Sequence, residues 1–151
     1  MDGMDRRILS RLRRNGRASA AEISREVHLS VPAVSERIRK LEQLGVIEGY
    51  TVRVSRAAEG LGLLAFVQVV IEHTAEVAAF RAAAVAEPCV LECHHMAGGC
   101  DYLLKVLVRD AAALERFLME RLKVMPGVLS SNTMICLSTL KEESGVGEGS
   151  L

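Results

Sequence analysis

The clearest chemistry in this sequence lies on one side of a short helical segment that begins at Ser30. Ser35, Glu36, Arg39 and Lys40 recur there at helical spacing and combine short polar side chains with two cations. Cations of this kind bind phosphate oxygens, whereas Ser and Glu can bond the edges of bases, Glu by accepting from a cytosine amino group. The pattern predicts a recognition helix that enters the major groove of DNA.

The predicted DNA contacts extend over the first turns of this helix. They are Ser30, Pro32, Ala33, Ser35, Glu36, Arg37, Arg39 and Lys40. Arg37 has an equal alternative, which is to pair with a carboxylate of its own domain. A solvated charged face is the plain alternative for an isolated helix, and a helix-turn-helix context favours DNA.

The residues around this polar face predict how the helix is positioned. A Ser N-cap, a Pro in the first turn, an apolar stripe and a terminal Gly mark a short helix with one buried side. These residues are Ser30, Pro32, the stripe Val34, Ile38, Leu41 and Leu44, and Gly45.

Two helices are predicted before it. The first runs from Met4 to Asn15, and the second starts at a capping box of Ser19 and Glu22 and reaches about Val27. The short turn that follows fixes two helices at a steep angle, so a helix-turn-helix is expected. Residues 46–54 are β-rich and predict a small wing or a strand leading away.

The rear half repeats a β-α-β pattern, with strands predicted at residues 63–72, 90–97, 101–108 and 128–140. Thr74 and Asp110 are the predicted helix caps, and the tetrad Pro-x-Val-Leu opens the second strand of each repeat, at Pro88–Leu91 and Pro126–Leu129. The chain is therefore predicted to be α+β, with a ferredoxin-like βαββαβ domain. The expected boundaries are a winged helix-turn-helix at 1–54, a hinge at 55–62, the second domain at 63–140 and a loose tail at 141–151.

The first strand predicts a homodimer. One of its faces carries Leu63, Ala65, Val67, Val69 and Ile71, and the other carries Leu64, Phe66, Gln68 and Val70. Two helices cover only one face of a four-stranded sheet, so the second apolar face would be an unusually large exposed patch. A second copy packed against it removes that patch.

Charge separates the two halves of the 151-residue chain. Residues 1–56 carry 12 Lys and Arg against 7 Asp and Glu, a difference of +5, and residues 57–151 carry 7 against 12, a difference of −5. This asymmetry indicates that only the front half meets a polyanion. The sequence shows no targeting segment or membrane span and no small-domain disulfide spacing, so a reduced, cytoplasmic protein is expected.

A cluster of cysteines and histidines invites a metal or redox hypothesis. Its members are Cys89, Cys93, His94, His95 and Cys100. Structural zinc sites pair two compact ligand pairs, and this spacing is irregular, so no metal and no cofactor are predicted. No nucleophile and base occur at a recognisable spacing, and the protein is expected not to be an enzyme.

Motifs in both halves resemble the Lrp/AsnC family of feast/famine regulators over nearly the whole chain. In the front half they are Asn15-Gly16-Arg17, Val34-x-x-Arg37-Ile38-x-x-Leu41-Glu42-x-x-Gly45-Val46-Ile47 and Gly49-Tyr50-Thr51. In the rear half they are Glu92-Cys93-His94, Gly98-x-x-Asp101-Tyr102-Leu103-Leu104-Lys105 and Pro126-Gly127-Val128. Cys100 departs from the family pattern, which has an aromatic residue there, and its smaller side chain changes the size of the loop pocket.

The resemblance implies a transcription regulator that binds double-stranded DNA, forms dimers that assemble into octamers, and takes an amino acid between sensor domains. It implies an effector site at Gly98, Gly99, Cys100 and Asp101, with hydroxyl groups from Ser131 and Thr133 of a neighbouring subunit. Backbone N–H groups of the turn would hold the carboxylate, and Asp101 would take the ammonium. The alternative is a metabolite-binding or haem-pathway decarboxylase-like protein of the same architecture that does not bind DNA.

Overall fold

A computed structural model describes residues 1–72 and 76–142, and these residues fall into two units, 1–53 and 54–142. In the first unit, three helices form: α1 (Gly3–Arg14), α2 (Ala20–Val27) and α3 (Val31–Gln43). Their small core consists of Ile8, Ile23, Val27 and Val34, all buried. The predicted three-helix unit is confirmed.

Side-chain caps explain where these helices begin. Ser19 and Glu22 close the predicted capping box of α2, and the Ser30 hydroxyl accepts from the N–H of Ala33 at the start of α3. The sequence prediction missed the cap of α1, where Asp2 and Asp5 form a capping box and start the helix one residue earlier than predicted. Each cap supplies a partner to an N–H that has none inside the helix.

Two predictions in this unit are wrong. Leu44 was placed in the buried stripe of α3 but is 65% exposed, because the helix ends at Gln43 and Leu44 already belongs to the closing turn. Residues 46–54 form no strand, since none of the described residues of this unit offers a strand for them to pair with. Gly45, with φ of +67°, ends α3 as predicted.

The second unit is a four-stranded antiparallel sheet. Its strands are β1 (Leu63–Ile71), β2 (Val90–His95), β3 (Tyr102–Val108) and β4 (Val128–Ile135), in the spatial order β2-β3-β1-β4. The helix α4 (Val77–Ala86) joins β1 to β2. The helix α5 (Ala111–Arg116) continues as a π-helical segment over Phe117–Leu122 and joins β3 to β4. This is the predicted ferredoxin-like order.

The core of this unit lies between the sheet and its two helices. Alternate residues of β1 are buried there against Phe80 and Ala84 of α4 and Leu114 of α5. Asp110 caps α5 through the N–H of Ala113, as predicted. The predicted cap at Thr74 lies outside the described residues, and Glu76, which precedes α4, makes no capping bond.

The strand β4 is five residues shorter than predicted, because its partner β1 is short. Ala65 pairs with Ile135 and the carbonyl of Leu64 accepts from the N–H of Cys136, after which only Leu63 of β1 remains to continue the ladder. Residues 136–142 instead turn over the open face of the sheet, the face away from the helices. Leu64, Phe66 and Lys105 line a cavity of about 330 Å³ beneath that segment. This face is thus partly covered by its own chain, and not fully open as the sequence suggested.

Candidate functional site

The helix α3 is a surface helix with one buried side. Val34 and Leu41 are buried, and the residues between them on the opposite side face solvent. His28 makes the turn before α3 tight, because it takes a left-handed backbone with φ of +56°, an unusual conformation for a side chain other than Gly. The sequence analysis did not identify this role of His28.

The eight predicted DNA contacts differ in accessibility. Most of them are exposed, namely Ser30, Pro32, Ser35, Glu36, Arg39 and Lys40, whereas Ala33 and Arg37 are half-buried. Lys40 makes no ion pair with the part of the chain that the structure describes. It is therefore the cation of α3 that a phosphate could bind without first displacing a partner.

Glu36 and Arg39 are paired with each other. The Arg39 Nε lies 2.9 Å from Glu36 Oε2, and Nη2 lies 2.5 Å from Oε1, with both side chains more than half exposed. This hydrogen bonding lowers the pKa of the Glu36 carboxyl and raises that of the Arg39 guanidinium. A base or phosphate that binds either group must exchange with this pair, which is a small barrier because exposed ion pairs contribute little.

Arg37 is engaged within its own unit, which matches the alternative left open by the sequence. Its Nη1 lies 2.7 Å from Asp2 Oδ2 and 2.7 Å from Asp5 Oδ1, both at the beginning of α1. Backbone hydrogen bonds and Arg37 lower the pKa of both carboxyls. Arg37 thus joins α3 to α1 in the free chain.

The turn between β2 and β3 is fixed to the end of β1 by Asp101. The Asp101 N–H donates to the carbonyl of Val69 at 3.0 Å, and its Oδ2 accepts from the N–H of Ile71 at 2.9 Å. Sequence reasoning expected the Asp101 N–H among the donors for a ligand carboxylate, and this bond to Val69 corrects that expectation. The N–H groups of Gly98, Gly99 and Cys100 donate to no described residue.

The two parts of the predicted effector site flank the same strand. Ser131 pairs with Val69 of β1, and Thr133 pairs with Val67. Because the Asp101 N–H bonds the carbonyl of Val69 from the β3 side, Asp101 and Ser131 lie on either side of one β1 residue. Within one subunit, the turn thus lies close to Ser131, whereas Thr133 lies two residues further along β4, opposite the middle of β1.

Tyr102 adds groups next to this turn that the sequence analysis did not assign. Its hydroxyl accepts from Arg81 Nε of α4 at 2.6 Å, and its buried ring stacks on His95 with centroids 5.1 Å apart. The alternation along β3, which places Tyr102 on the core face, was the available signal. Arg81 could not be found that way, because its contact is tertiary.

The cysteine and histidine side chains of the cluster are not arranged as a metal site with any other described residue. Burial and the neighbouring Glu87 raise the pKa of the Cys89 thiol to about 11, and burial raises that of Cys93. A protonated thiol is a poor ligand and nucleophile. Among residues 1–72 and 76–142, no three His, Cys, Asp or Glu side chains are arranged to hold a metal ion.

No helix among the described residues is long and apolar enough to cross a membrane.

A capped, solvent-facing helix-turn-helix and a separate ferredoxin-like unit with a polar turn define a DNA-binding transcription regulator with a ligand-binding domain. Comparison with known proteins agrees in both halves: residues 1–48 match the winged helix-turn-helix DNA-binding family, and residues 64–146 match the Lrp/AsnC ligand binding domain. The chain belongs to the Lrp/AsnC family of transcription regulators.

Relatives with related functions cover nearly the whole chain. It is 36% identical over 146 residues to the proline dehydrogenase transcriptional activator of Rhodobacter capsulatus, covering 95% of both chains. It is also 36% identical to the leucine-responsive regulatory protein of Salmonella typhimurium, covering 95% of this chain and 89% of the relative. A transcriptional regulator of Neisseria meningitidis, solved as a complex with L-methionine, superposes with a TM-score of 0.93 at 31% identity, covering 97% of this chain and 96% of that one.

Proposed function

We propose that this regulator contacts DNA through α3 and responds to a small, apolar amino acid bound beside the turn 98–101. The observation that carries the DNA proposal is the capped α3, which buries Val34 and Leu41 and presents a polar and basic face to solvent. Such a helix can enter a major groove without losing its packing. The proposed contacts are Ser30, Pro32, Ala33, Ser35, Glu36, Arg39 and Lys40.

Within this face the roles divide by chemistry. Lys40 and Arg39 neutralise phosphates, and Ser35 and Glu36 face the base edges. Removal of one phosphate contact lowers the slope of log affinity against log salt by about 1, so Arg39→Ala with Lys40→Ala should lower it by about 2 for each α3 that binds, or about 4 for a dimer with both α3 helices on DNA. Between 50 and 200 mM salt, the loss of affinity should be smaller than in the wild type by roughly tenfold for each α3 that binds.

The matched control removes two exposed cations elsewhere in the same unit. Arg6→Ala with Arg25→Ala changes the net charge equally, and both side chains lie outside α3. The control should leave the slope within about 0.5 of the wild type, because long-range charge effects are screened. If the wild type and the α3 variant had equal salt slopes, α3 would not be the DNA-binding helix. If the α3 variant and the control variant lost the same amount of slope, the effect would come from net charge and not from contacts of α3.

The ligand proposal rests on donors and acceptors around one end of the sheet. The N–H groups of Gly98, Gly99 and Cys100 would hold the carboxylate, and the Asp101 carboxylate would take the ammonium. Ser131 and Thr133 would add hydroxyl groups from a neighbouring subunit. The relative solved with L-methionine supports an amino acid as the ligand.

Apolar neighbours of the turn favour an apolar ligand side chain. Met96 and Ala97 precede the turn in the chain, and Leu103 follows it. A thermal-shift screen of the twenty amino acids on the full chain tests the proposal, and at least one apolar amino acid should raise the melting temperature. Stabilisation by none of them would remove the site. To change DNA binding, the ligand must also prefer one assembly state, since equal affinity for both shifts nothing.

We also propose that the chain forms a homodimer and that these dimers assemble into an octamer. Phe66, Val70 and Leu103 remain only half-buried on the open face of the sheet, and of these three only Phe66 lines the cavity beneath residues 136–142. A second copy would remove this apolar surface from water. Light scattering of the full chain at micromolar concentration should give at least twice the monomer mass, and a monomer would contradict the proposal.

A further inference from the structure

We propose that Arg37, together with Asp2 and Asp5, sets the orientation of α3 and does not contact DNA. These three residues are called the N-terminal clasp below. The proposal rests on α3 as the DNA-binding helix, and it assigns Arg37 a positioning role within that function.

Hydrogen bonding in the N-terminal clasp uses every carboxylate oxygen. Asp2 Oδ1 accepts from the Asp5 N–H at 2.9 Å, and Asp5 Oδ2 accepts from the Asp2 N–H at 2.8 Å, which closes the capping box of α1. The two remaining oxygens, Asp2 Oδ2 and Asp5 Oδ1, both accept from Arg37 Nη1 at 2.7 Å. The cap of α1 and the anchor of α3 are therefore one network.

Electrostatics argues against a phosphate contact by Arg37. The three side chains together carry two negative charges and one positive charge, so this place on the surface has no surplus of positive charge. If Arg37 moved to a phosphate, two adjacent carboxylates would lose their cation next to a polyanion. Lys40 incurs no such loss, since no ion pair to a described residue has to break.

The position of Arg37 on α3 explains what the N-terminal clasp controls. Arg37 follows Val34 by three residues and precedes Leu41 by four, so it borders the buried stripe one turn from each. The core beneath α3 is aliphatic, and aliphatic contacts have little directional preference. A bridged, charge-assisted hydrogen bond is directional, so it can fix the rotation of α3 about its own axis and hence the angle at which Ser35 and Glu36 meet the bases.

The test compares Arg37→Gln, the double variant Asp2→Asn with Asp5→Asn, and the triple variant. Each is assayed on a duplex selected from random sequence by the wild-type chain and on a scrambled duplex, from 50 to 200 mM salt. Arg37→Gln and the double variant should each lose specific affinity by roughly tenfold, comparable to the loss of one base-pair contact. Their salt slopes should stay within about 0.3 of the wild type. The triple variant should be no worse than either, because all three substitutions break the same network.

A phosphate contact by Arg37 gives the opposite results. Removal of the two carboxylates would then strengthen DNA binding, and Arg37→Gln would lower the salt slope by about 1 for each α3 that binds. Either result would overturn the proposal, as would additive losses in the triple variant. The Arg39→Ala with Lys40→Ala variant tests the DNA-binding role of α3 independently of the role of Arg37. It should lower the salt slope whether or not the N-terminal clasp orients α3.

Arg37→Lys is the control for the possibility that the other variants fail to fold. Arg37 reaches both carboxylates through a single nitrogen, so one ammonium group can replace it. This variant should fold and discriminate between the two duplexes within about threefold of the wild type, the range expected for a retained charged contact. Arg37→Lys that is as defective as Arg37→Gln would contradict the proposal.

Discussion

Replacement of Asp101 should have two separable effects, because its carboxylate has a structural bond and a proposed ligand contact. In the free chain, Asp101 Oδ2 accepts from the N–H of Ile71, whose own side chain is buried. Asp101→Ala leaves that N–H without an acceptor, which costs about 1–3 kcal/mol. For a unit of this size, a loss of about 2 kcal/mol lowers the melting temperature by roughly 8–16 °C.

The ligand contributes a stabilisation of similar size. An amino acid at a concentration of about 100 times its dissociation constant stabilises the folded state by about 2.7 kcal/mol. Asp101→Ala alone therefore cannot separate a damaged fold from a lost ligand contact. Asp101→Asn can, since its amide oxygen still accepts from Ile71 while the charge that would attract an ammonium is gone.

The assay is differential scanning fluorimetry of the full chain with and without the best amino acid from the screen. Asp101→Asn should melt within about 3 °C of the wild type without ligand and should lose most of the ligand-induced shift. Glu72→Gln is the matched control, because it removes an exposed carboxylate from the same end of β1. A full ligand shift in Asp101→Asn would refute the ammonium contact, and wild-type melting of Asp101→Ala would refute the structural role.

Three other outcomes follow from the structure. Phe80→Ala, which removes a fully buried ring from the core of the second unit, should cost about 3–5 kcal/mol in chemical denaturation, and a cost below about 1 kcal/mol would contradict the packing described here. Gly45→Ala should cost about 1 kcal/mol because φ is +67°, and an unchanged denaturation midpoint would argue against that backbone. The folded chain lowers the pKa of Asp2 and Asp5, so their contribution to stability is complete above the unfolded Asp pKa of 3.8 and is lost as the pH falls below it. Acid titration of Asp2→Asn with Asp5→Asn should show a weaker loss of stability in that range, and an unchanged titration would contradict it.

Local signals in the sequence were enough to predict most of the elements. A cap is a contact between residues three apart, so Ser19, Ser30 and Asp110 could be recognised without knowledge of the fold. The repeated tetrad also predicted where two of the strands begin, since β2 begins at Val90 and β4 at Val128, the third residue of each tetrad. The domain boundaries stay a prediction.

Features that depend on a distant partner could not be predicted in the same way. The end of β4 is set by the length of β1, and the exposure of Leu44 is set by where α3 stops. At the candidate sites, sequence periodicity placed Arg37 on the edge of α3 but could not choose between DNA and its own carboxylates. That choice depends on Asp2, which lies 35 residues away in the chain.

The pattern of internal pairing changes what the charge of the front half implies for DNA binding. Arg11 is paired with Glu26, Arg37 with Asp2 and Asp5, and Arg39 with Glu36. The excess of five positive charges therefore overstates the number of cations that α3 can offer to phosphates. Lys40 can bind a phosphate directly, and Arg39 can bind one only after its ion pair with Glu36 opens. With about one unit of salt slope per phosphate, two readers in a dimer would obtain a slope of about 4 from α3. A much steeper measured slope would show that cations outside α3 also bind the DNA backbone.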